Sequence, residues 1–499
     1  MPTLTSPAGQ VLIALCGATG MLLFALLKPE YLLLLLPVMV LILGALALYQ
    51  FPQAIVALLV LTYGIGLDFQ LDGGMFSGTG GAAGALGSAV VKVVPFALAG
   101  ALLIRYGPAS AINWPFLAYT VIAVMSIVIL PIGKIVSNAE MVRSFIGSTA
   151  PFVLAFAMAP KRIWTTVIRG ATLVPIISAF ASLLTNVAGL YPAFDTLGRF
   201  QGMHTAPFLA GFCSTAIFAA MLEYLRGFKM RWIIIAGMNL AILLATQARA
   251  PLGAVVIFML AIFLLSDRKL FPLKRKVDLI MGSLGPGLLL LGPVLVFALG
   301  RFVDQGSSSS GRDLMWPYFI EAIEARPLFG FGLGAGKLIV NPDDPLIKLL
   351  GSTAAHNEYL RLSVDGGIIG CAAIFIALIA WIWGGSRRLA PAEKLVLRAA
   401  LVGVLIHSGF DNTLIATTSV MQFCLFGAIL ARGRIEAKQG LHGQTAHGRG
   451  STRHAADTRT WRQPRPEAGS TTGATTGATL AFDPPPPMPR SPRPPSRLG

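Results

Sequence analysis

The chain has 499 residues, of which 55% are hydrophobic and 12% charged, and its mean hydropathy is +0.72. Soluble domains carry about 25% charged residues, so this composition excludes an ordinary soluble protein. The net charge of +17 does not indicate nucleic acid, because ten basic and four acidic residues lie from Gly433 onward and most others sit in short connections. All four cysteines fall within apolar runs, which argues against a disulfide framework or metal site.

Long apolar runs follow one another along the chain. A spanning helix needs about 20 apolar residues, whereas barrel strands show short alternating segments. The runs therefore predict an all-α, polytopic transmembrane helical bundle of about 12–14 spans. The predicted spans are 10–27, 31–49, 51–67, 88–104, 112–131, 144–159, 163–185, 207–225, 232–247, 251–266, 279–299, 367–384, 397–410 and 415–432. Met1 to Gln10 contains no Lys or Arg, so it does not indicate a cleaved signal peptide.

Basic residues cluster in alternate connections between these spans. They occupy Lys161-Arg162, Arg226 to Arg231, Asp267 to Lys276 and Arg387-Arg388. Because basic connections face the cytoplasm, we expect both termini there. The loops at 68–87, 132–143, 186–206 and 301–366 then face outward.

Four parts follow from this reading. Residues 1–300 form N-terminal transmembrane helices, 301–366 an outward catalytic loop and 367–432 C-terminal transmembrane helices. Residues 433–499 are basic and rich in proline, which predicts a disordered cytoplasmic tail. A weak contact of this tail with anionic lipid or an SH3-like partner is the alternative to plain solvation.

Polar residues in the upstream loops are the first site candidates. Asp68 and Asp72 are either solvated carboxylates at a helix end or a metal-binding pair. Arg199 opens a polar stretch that is either a rim for an anionic substrate or an interfacial flank. His204 ends that stretch, and no second ligand lies at metal-site spacing from it.

Arg249 breaks two apolar runs. Such an arginine usually faces a protein interior or a polar cavity, although it can also snorkel to the headgroups. Pro251 suits the first turn of the following helix.

The segment 301–366 is the one long polar interval. After a flexible lead-in from Ser307 to Gly311, we expect a helix near Arg312, with Pro317 in its first turn. Apolar residues recur there at i, i+3, i+4 and i+7, which is typical of an interfacial amphipathic helix: Trp316, Phe319, Ile320 and Ile323.

Glycines alternate after this helix, at Gly330, Gly332, Gly334 and Gly336. A dinucleotide fingerprint would need a surrounding βαβ unit, which the pattern lacks. Their expected role is a close backbone approach to a substrate or to another helix. The Asp343-Asp344 pair indicates a turn.

His356 opens the last outward element. Its imidazole can accept a proton near neutral pH, and Asn357, Glu358 and Arg361 are possible partners. The following apolar run places it near the interface, where a lipid-linked substrate would lie. A merely solvated or structural histidine is the alternative.

Three further polar residues, His407, Asp411 and Asn412, come near the outer end of the next span. They suggest a partner or a cavity edge.

The block from Gly311 to Gly370 resembles the signature region of the bacterial O-antigen ligase and O-antigen or exopolysaccharide polymerase superfamily. The matching pieces are Gly311-Arg312 with Trp316, Pro327 to Gly332, Ala355 to Leu360 and Gly366 to Gly370. Arg199 to Gly202 and Ala248-Arg249 also fall where the family carries such residues.

The resemblance implies a metal-independent glycosyltransferase of the GT-C type in the bacterial inner membrane, with a periplasmic site and no cofactor. It implies a glycan donor on undecaprenyl diphosphate, a glycan or lipid A core as acceptor, and membrane lipid and other polysaccharide-assembly proteins as partners. In family terms His356 is the base, and Arg249 and Arg312 hold the diphosphate. Further substrate-binding candidates are Arg199 and Arg361, and supporting candidates are Asn357 and Glu358.

Two departures bear on the choice between polymerase and ligase. Ala354-Ala355 precede His356 where ligases often carry a further histidine, and Ala248 replaces a common serine. We therefore favour a polymerase slightly over a ligase. A transporter or lipid-glycan flippase is the alternative from another class, but transporters often show internal repeats and midplane ionisable residues. The sugar, linkage and oligomeric state stay open.

Overall fold

The computed structural model describes residues 54–72, 82–128, 136–282, 312–341, 343, 347, 353–415 and 417–457. These residues form helices and turns, with two isolated bridges and no β-sheet within the described ranges, which confirms the all-α prediction there. The predicted spans 10–27 and 31–49, most of 279–299, the Ser307 to Gly311 lead-in and the tail after residue 457 lie outside the described residues.

The described α-helices are, in chain order, α1 (Ala54–Gly64), α2 (Leu67–Asp72), α3 (Ala82–Tyr106), α4 (Trp114–Val128), α5 (Asn138–Thr149), α6 (Lys161–Ala171), α7 (Val174–Val187), α8 (Ala206–Gly227), α9 (Met230–Ala245), α10 (Arg249–Leu265), α11 (Arg312–Ala325), α12 (Glu358–Ile379), α13 (Pro391–His407) and α14 (Thr417–Asp457). A further helical stretch covers 273–282. A 3₁₀ segment, Ala150–Phe156, follows α5, and a π-helical turn, Ala380–Gly384, follows α12.

Membrane crossing is supported for two of the described helices by length and composition. They are α8 and α12 continued to Gly384, and α6 with α7 forms a third candidate that bends by 47° at its break. Pro175 occupies the first turn of α7, where its missing N–H interrupts the backbone ladder. The other apolar helices are shorter, so the number of 12–14 spans stays a prediction.

The most buried of the candidate spans is α8, in which 89% of the most apolar stretch of 18 residues is buried inside the protein. It packs against α6, α7, α9, α10 and α13. The helix α12 packs on α4 and α11 and runs on into the π-helical turn. Buried aromatic and aliphatic side chains from all these helices form one continuous core.

Ion pairs join several of the connections predicted to be cytoplasmic, and these lie at one end of the bundle. Glu436 on α14 binds Lys161 at 2.9 Å and Arg226 at 2.7 Å, and Arg226 also pairs with Glu393 at the start of α13. Deeper in the same cluster, Arg432 binds the Glu223 carboxylate at 2.5 Å. The helix α14 extends past residue 433, where we expected a disordered tail to begin. Its ion pairs with Lys161 and Arg226 attach Glu436 to two other helices and so support this extension.

Three details of the predicted loop 301–366 differ from expectation. The helix α11 begins at Arg312 as predicted, but Pro317 lies inside it, and Ile320 is exposed rather than part of the buried stripe. The boundary at 366 falls within α12, which begins at Glu358 and kinks at Gly367, where φ is +68°.

The chain divides into two compact units, residues 1–441 and residues 442–499. Of the second, only 442–457 is described, as helix.

Candidate active site

His356 lies in the turn that leads into α12. Its backbone is left-handed, with φ +46°, and 41% of its side chain is exposed. Its Nδ1 atom is 3.4 Å from Oδ1 of Asp411. Asn357 caps α12, because its side-chain oxygen accepts hydrogen bonds from the backbone N–H groups of Tyr359 and Leu360. Asn357 therefore holds the turn in place and does not point at the imidazole.

Asp411 lies just after α13 and faces two histidines. Its Oδ2 atom is 3.7 Å from Nε2 of His407, and its Oδ1 atom also accepts a hydrogen bond from the N–H of Asn412. Burial disfavours its charged form, but the hydrogen bond from His356 and the nearby His407 ring outweigh that cost and hold the pKa of Asp411 well below its usual range. A carboxylate is thus kept ionised next to the predicted base.

The first turns of α11 bring the predicted diphosphate ligand Arg312 to the same place. Arg312 donates from Nη2 to the carbonyl of Phe410, at 2.9 Å, beside Asp411. One turn later, Trp316 donates from Nε1 to the carbonyl of Ala355, at 3.0 Å, beside His356. The structure therefore places Arg312 near the histidine–aspartate pair, while its role as a diphosphate ligand stays a prediction.

Arg361 and Glu358 occupy different surroundings from those expected. Arg361 is 2% exposed, and its guanidinium binds Glu358 at 2.5 Å and Asp365 at 2.7 Å. The predicted contact of Arg361 with substrate is therefore not supported, because two buried carboxylates accept hydrogen bonds from all three guanidinium nitrogens. The cluster instead stiffens the first turns of α12, directly after His356.

The alternating glycines bring their loop close to neighbouring helices: Gly330 and Gly336 lie against α12, and Gly334 lies against Ser144 of α5. The N–H groups of Phe331 and Gly332 donate to the carbonyls of Val364 and Asp365, both at 2.9 Å. A Cβ at Gly330, where φ is +67°, would lie 2.4 Å from the Val364 oxygen. Only a glycine allows this approach, so the close approach of the loop is to another helix.

Arg199 and Arg249 lie in neighbouring segments. Arg199 is paired with Asp195 at 2.7 Å, and the next N–H, that of Phe200, donates to the Ala245 carbonyl at the end of α9. Four residues later, Arg249 begins α10 with an exposed side chain. The start of this helix near Pro251 is confirmed. Since α10 packs along α13, Arg249 shares the end of the bundle that carries His407.

Two other candidates are buried. His204 is fully enclosed, and its Nε2 contacts the Tyr63 carbonyl at 2.7 Å. Burial lowers the pKa of His204, partly offset by the nearby Asp68 carboxylate. Asp68 is 7% exposed and accepts a hydrogen bond from the Thr417 hydroxyl, so it is not the solvated carboxylate expected. Among the described residues, no group of three or more His, Cys, Asp or Glu could hold a metal ion.

An apolar groove of about 480 Å³ runs between α4 and α12. Small residues of α12 form its floor, namely Gly366, Gly370, Ala373, Ala377 and Ala380. Its walls are aliphatic or aromatic, with Val121 of α4 and Phe329 of the glycine-rich loop among them. The first residue of α12 that lines the groove, Gly366, is eight residues after Glu358, which is about 12 Å along the helix. The groove therefore begins close to the turn that carries His356.

Asp411 and His407 are the residues whose role the sequence alone did not reveal. Their spacing of four residues at the end of a helix is a signal that they face each other. Nothing local, however, relates them to His356, 55 positions upstream.

Residues 233–375 match the O-antigen ligase family model. This stretch contains Arg249, Arg312 and His356, and it confirms the resemblance to the O-antigen ligase and polymerase superfamily. This part of the chain is thus similar to membrane enzymes of that type. Arg199 and Asp411 lie outside the matched residues. A search of curated proteins finds no match for the chain.

Proposed function

We propose that this chain, whose residues 233–375 match the O-antigen ligase family, is a glycosyltransferase that extends undecaprenyl-diphosphate-linked glycan at the periplasmic face. The observation that carries the proposal is the His356–Asp411 pair, 3.4 Å apart, with Arg312 bound beside it at Phe410. A base, an ionised carboxylate and a cation thus meet at one exposed edge.

His356 acts as the general base. Its Nδ1–H donates to Asp411, which leaves Nε2 as the acceptor. As an acceptor hydroxyl attacks the anomeric carbon, its proton passes to Nε2, and the bond from that carbon to the diphosphate oxygen breaks. Attack opposite the leaving group inverts the anomeric centre. A positioned base of this kind typically contributes about 10²–10⁴-fold.

Arginines stabilise the departing diphosphate, so a metal ion is not required. Arg312 uses Nη2 to bind Phe410, and its other N–H groups serve the phosphate oxygens. Arg249, at the exposed start of α10, is the second ligand, and Arg199 in the adjoining loop belongs to the polar rim that receives the anionic substrate. Arg361 and Glu358 act indirectly, by stiffening the turn that presents His356.

The polyprenyl chain of the donor occupies the groove between α4 and α12. Apolar side chains line it almost throughout, and rim residues such as Val121 and Ile376 are 48% and 65% exposed. The groove follows the helix whose first residues adjoin His356, so a lipid lying in it has its diphosphate end near Arg312. This continuity with the candidate site favours the donor lipid as occupant.

The orientation of the chain follows from the opposite end of the bundle. Lys161, Arg226 and Arg432 meet there, and basic residues mark the cytoplasmic side. His356 and Arg312 then face the periplasm. Other polysaccharide-assembly proteins are expected to supply and export the glycan.

The decisive experiment uses the purified full-length protein in lipid with the undecaprenyl-diphosphate-linked repeat unit as sole substrate, beside His356→Ala. We expect a ladder of longer lipid-linked chains that is absent in the variant. Product that forms only after lipid A core is added would instead establish a ligase. Absence of product under both conditions, with folded protein, would overturn the transferase proposal and favour a transporter.

A further inference from the structure

We propose that the protein binds an anionic phospholipid at the turn 385–388, which follows the end of α12 farthest from His356. Four arginines around this turn hold the lipid phosphate, and we call them the arginine cluster. They are Arg387, Arg388, Arg398 and Arg434. This site is separate from the transfer reaction and does not depend on it.

Two members of the arginine cluster reach the turn from neighbouring helices. Arg398 of α13 donates from Nε to the Ser386 hydroxyl at 3.1 Å. Arg434 of α14 lies against the preceding residue, because a Cβ built on Gly385 would be 3.2 Å from its Nη2 atom. Both guanidinium groups therefore lie directly before Arg387-Arg388, whose side chains are exposed.

No ion pair among the described residues neutralises the arginine cluster. The carboxylates at this end of the bundle are engaged elsewhere, since Glu393 pairs with Arg226 and Glu436 pairs with Lys161. Burial lowers the pKa of Arg434, and no carboxylate in the described part of the chain offsets this effect. A guanidinium nevertheless stays charged at physiological pH. Like charges held together in this way favour the binding of an anion.

Arg398 retains donors that point to a phosphate as that anion. Its Nη2 group donates to the Trp383 carbonyl at 3.4 Å, and its guanidinium lies 4.9 Å from the centre of the Trp383 ring. These contacts fix the plane of the guanidinium and leave its Nη1 group without a partner among the described residues. Guanidinium groups bind phosphate oxygens through paired N–H groups, so a preoriented one is suited to this ligand.

The turn lies where a lipid headgroup would be. The candidate span Glu358–Gly384 has 27 residues, which corresponds to about 40 Å of helix. A bilayer with its headgroup regions is about 40–45 Å thick. Trp383 is 40% exposed at the end of this span, and tryptophan is enriched at the membrane interface. The arginine cluster, which comes directly after it, is therefore at headgroup level.

An apolar stripe beside the arginine cluster favours a lipid over a soluble anion. Ile376, Ile379 and Trp383 are exposed and recur at helical spacing along the last turns of the span. An acyl chain can lie along these side chains while its phosphate meets the guanidinium groups. Basic pockets between membrane helices bind anionic headgroups in this way.

The test is native mass spectrometry of the purified full-length protein in mild detergent. The detergent contains equal amounts of dioleoyl phosphatidylglycerol and zwitterionic dioleoyl phosphatidylethanolamine. We expect the wild type to retain phosphatidylglycerol preferentially, and Arg398→Gln/Arg434→Gln to bind it at least about tenfold more weakly. The matched control is Arg162→Gln/Lys269→Gln, which removes two exposed charges from other connections predicted to be cytoplasmic. It should keep the wild-type affinity within about twofold.

A second variant changes only exposed side chains and so leaves packing intact. Arg387→Gln/Arg388→Gln should weaken phosphatidylglycerol binding by about three- to tenfold at an unchanged melting temperature. Equal retention of the two lipids by the wild type, or an equal loss in the control variant, would overturn the site. Inorganic phosphate alone is the remaining probe. If it binds through the arginine cluster while no phosphatidylglycerol is retained, the cluster serves a soluble anion and the proposal also fails.

Discussion

His356 and Asp411 are 55 positions apart in the chain, and their side chains are 3.4 Å apart in the structure. The contact joins the turn before α12 to the end of α13. The Glu358 N–H reinforces it by donating to the Ser408 carbonyl at 2.8 Å. The proposed base is therefore oriented by a part of the chain outside the segment that matches the family.

Asp411→Asn tests this orientation. The amide keeps the shape of the side chain but loses the negative charge that stabilises a protonated His356. We expect kcat/KM to fall about 10- to 100-fold, less than the 10²–10⁴-fold expected for His356→Ala. Transfer assays on protein of unchanged thermal stability measure this. Wild-type rates in Asp411→Asn would exclude a role for the pair.

Arg312→Ala should reduce transfer by about 10²–10³-fold, because a preorganised donor to the leaving diphosphate is lost. Arg312→Lys should recover little, since an ammonium cannot reproduce the bidentate contact. Arg326→Ala is a matched control on the same segment, as Arg326 contacts the Phe331 ring instead. Membrane insertion should be normal in all three variants. Equal activity of Arg312→Ala and Arg326→Ala would remove Arg312 from the site.

Arg249→Ala should also strongly reduce glycan transfer, because the exposed start of α10 then lacks its cation. Membrane insertion of the protein should be normal. If Arg249 and Arg312 hold the same diphosphate, the double variant should lose less than the product of the two single losses. Transfer rates of the four proteins, measured at saturating acceptor, give this comparison. Normal transfer in both single variants would contradict the diphosphate role.

Ala373→Phe tests the groove, because a large side chain would fill its floor. We expect a KM for the long-chain undecaprenyl donor at least about tenfold higher, whereas a donor with a short prenyl chain should react nearly as before. Ala372→Phe is the matched control, since the adjacent Ala372 is exposed and does not line the groove. An equal loss for both donors would point to a folding defect and not to lost lipid binding.

Glu436 makes the stability of its end of the helix bundle depend on pH. Burial opposes its charge, but hydrogen bonds from Arg226 and Lys161 prevail and lower its pKa from 4.5 to about 2. Its contribution is therefore present above pH 4.5 and is lost as the pH falls toward 2. We expect Glu436→Gln to cost on the order of 1–2 kcal/mol at pH 7, after solvent screening is allowed for. The melting temperatures of the two proteins should converge as the pH is lowered.

The sequence alone indicated the class of the protein and its family resemblance, and it named the candidate site residues. The composition indicates that most of the chain is not surrounded by water, because only 12% of its residues are charged, against about 25% in soluble domains. Local rules also determined the start of α11 at Arg312 and the place of Pro251, since each depends on neighbouring residues only. The segment around His356 carried the family resemblance.

Only the tertiary structure decided which polar groups are paired. His204 lies in a stretch that suggests a polar rim, yet it is buried against the Tyr63 carbonyl, 141 positions away. Arg361 has carboxylates three and four residues away on its own helix, but only the packing of α12 shows that all three groups are buried. A local pattern shows that a charge exists, but not whether folding brings a carboxylate to neutralise it. Asp411 illustrates the same limit, because its contact with His356 depends on how α12 and α13 pack. Long-range packing therefore separates the proposed base and its partners from the residues that only support them.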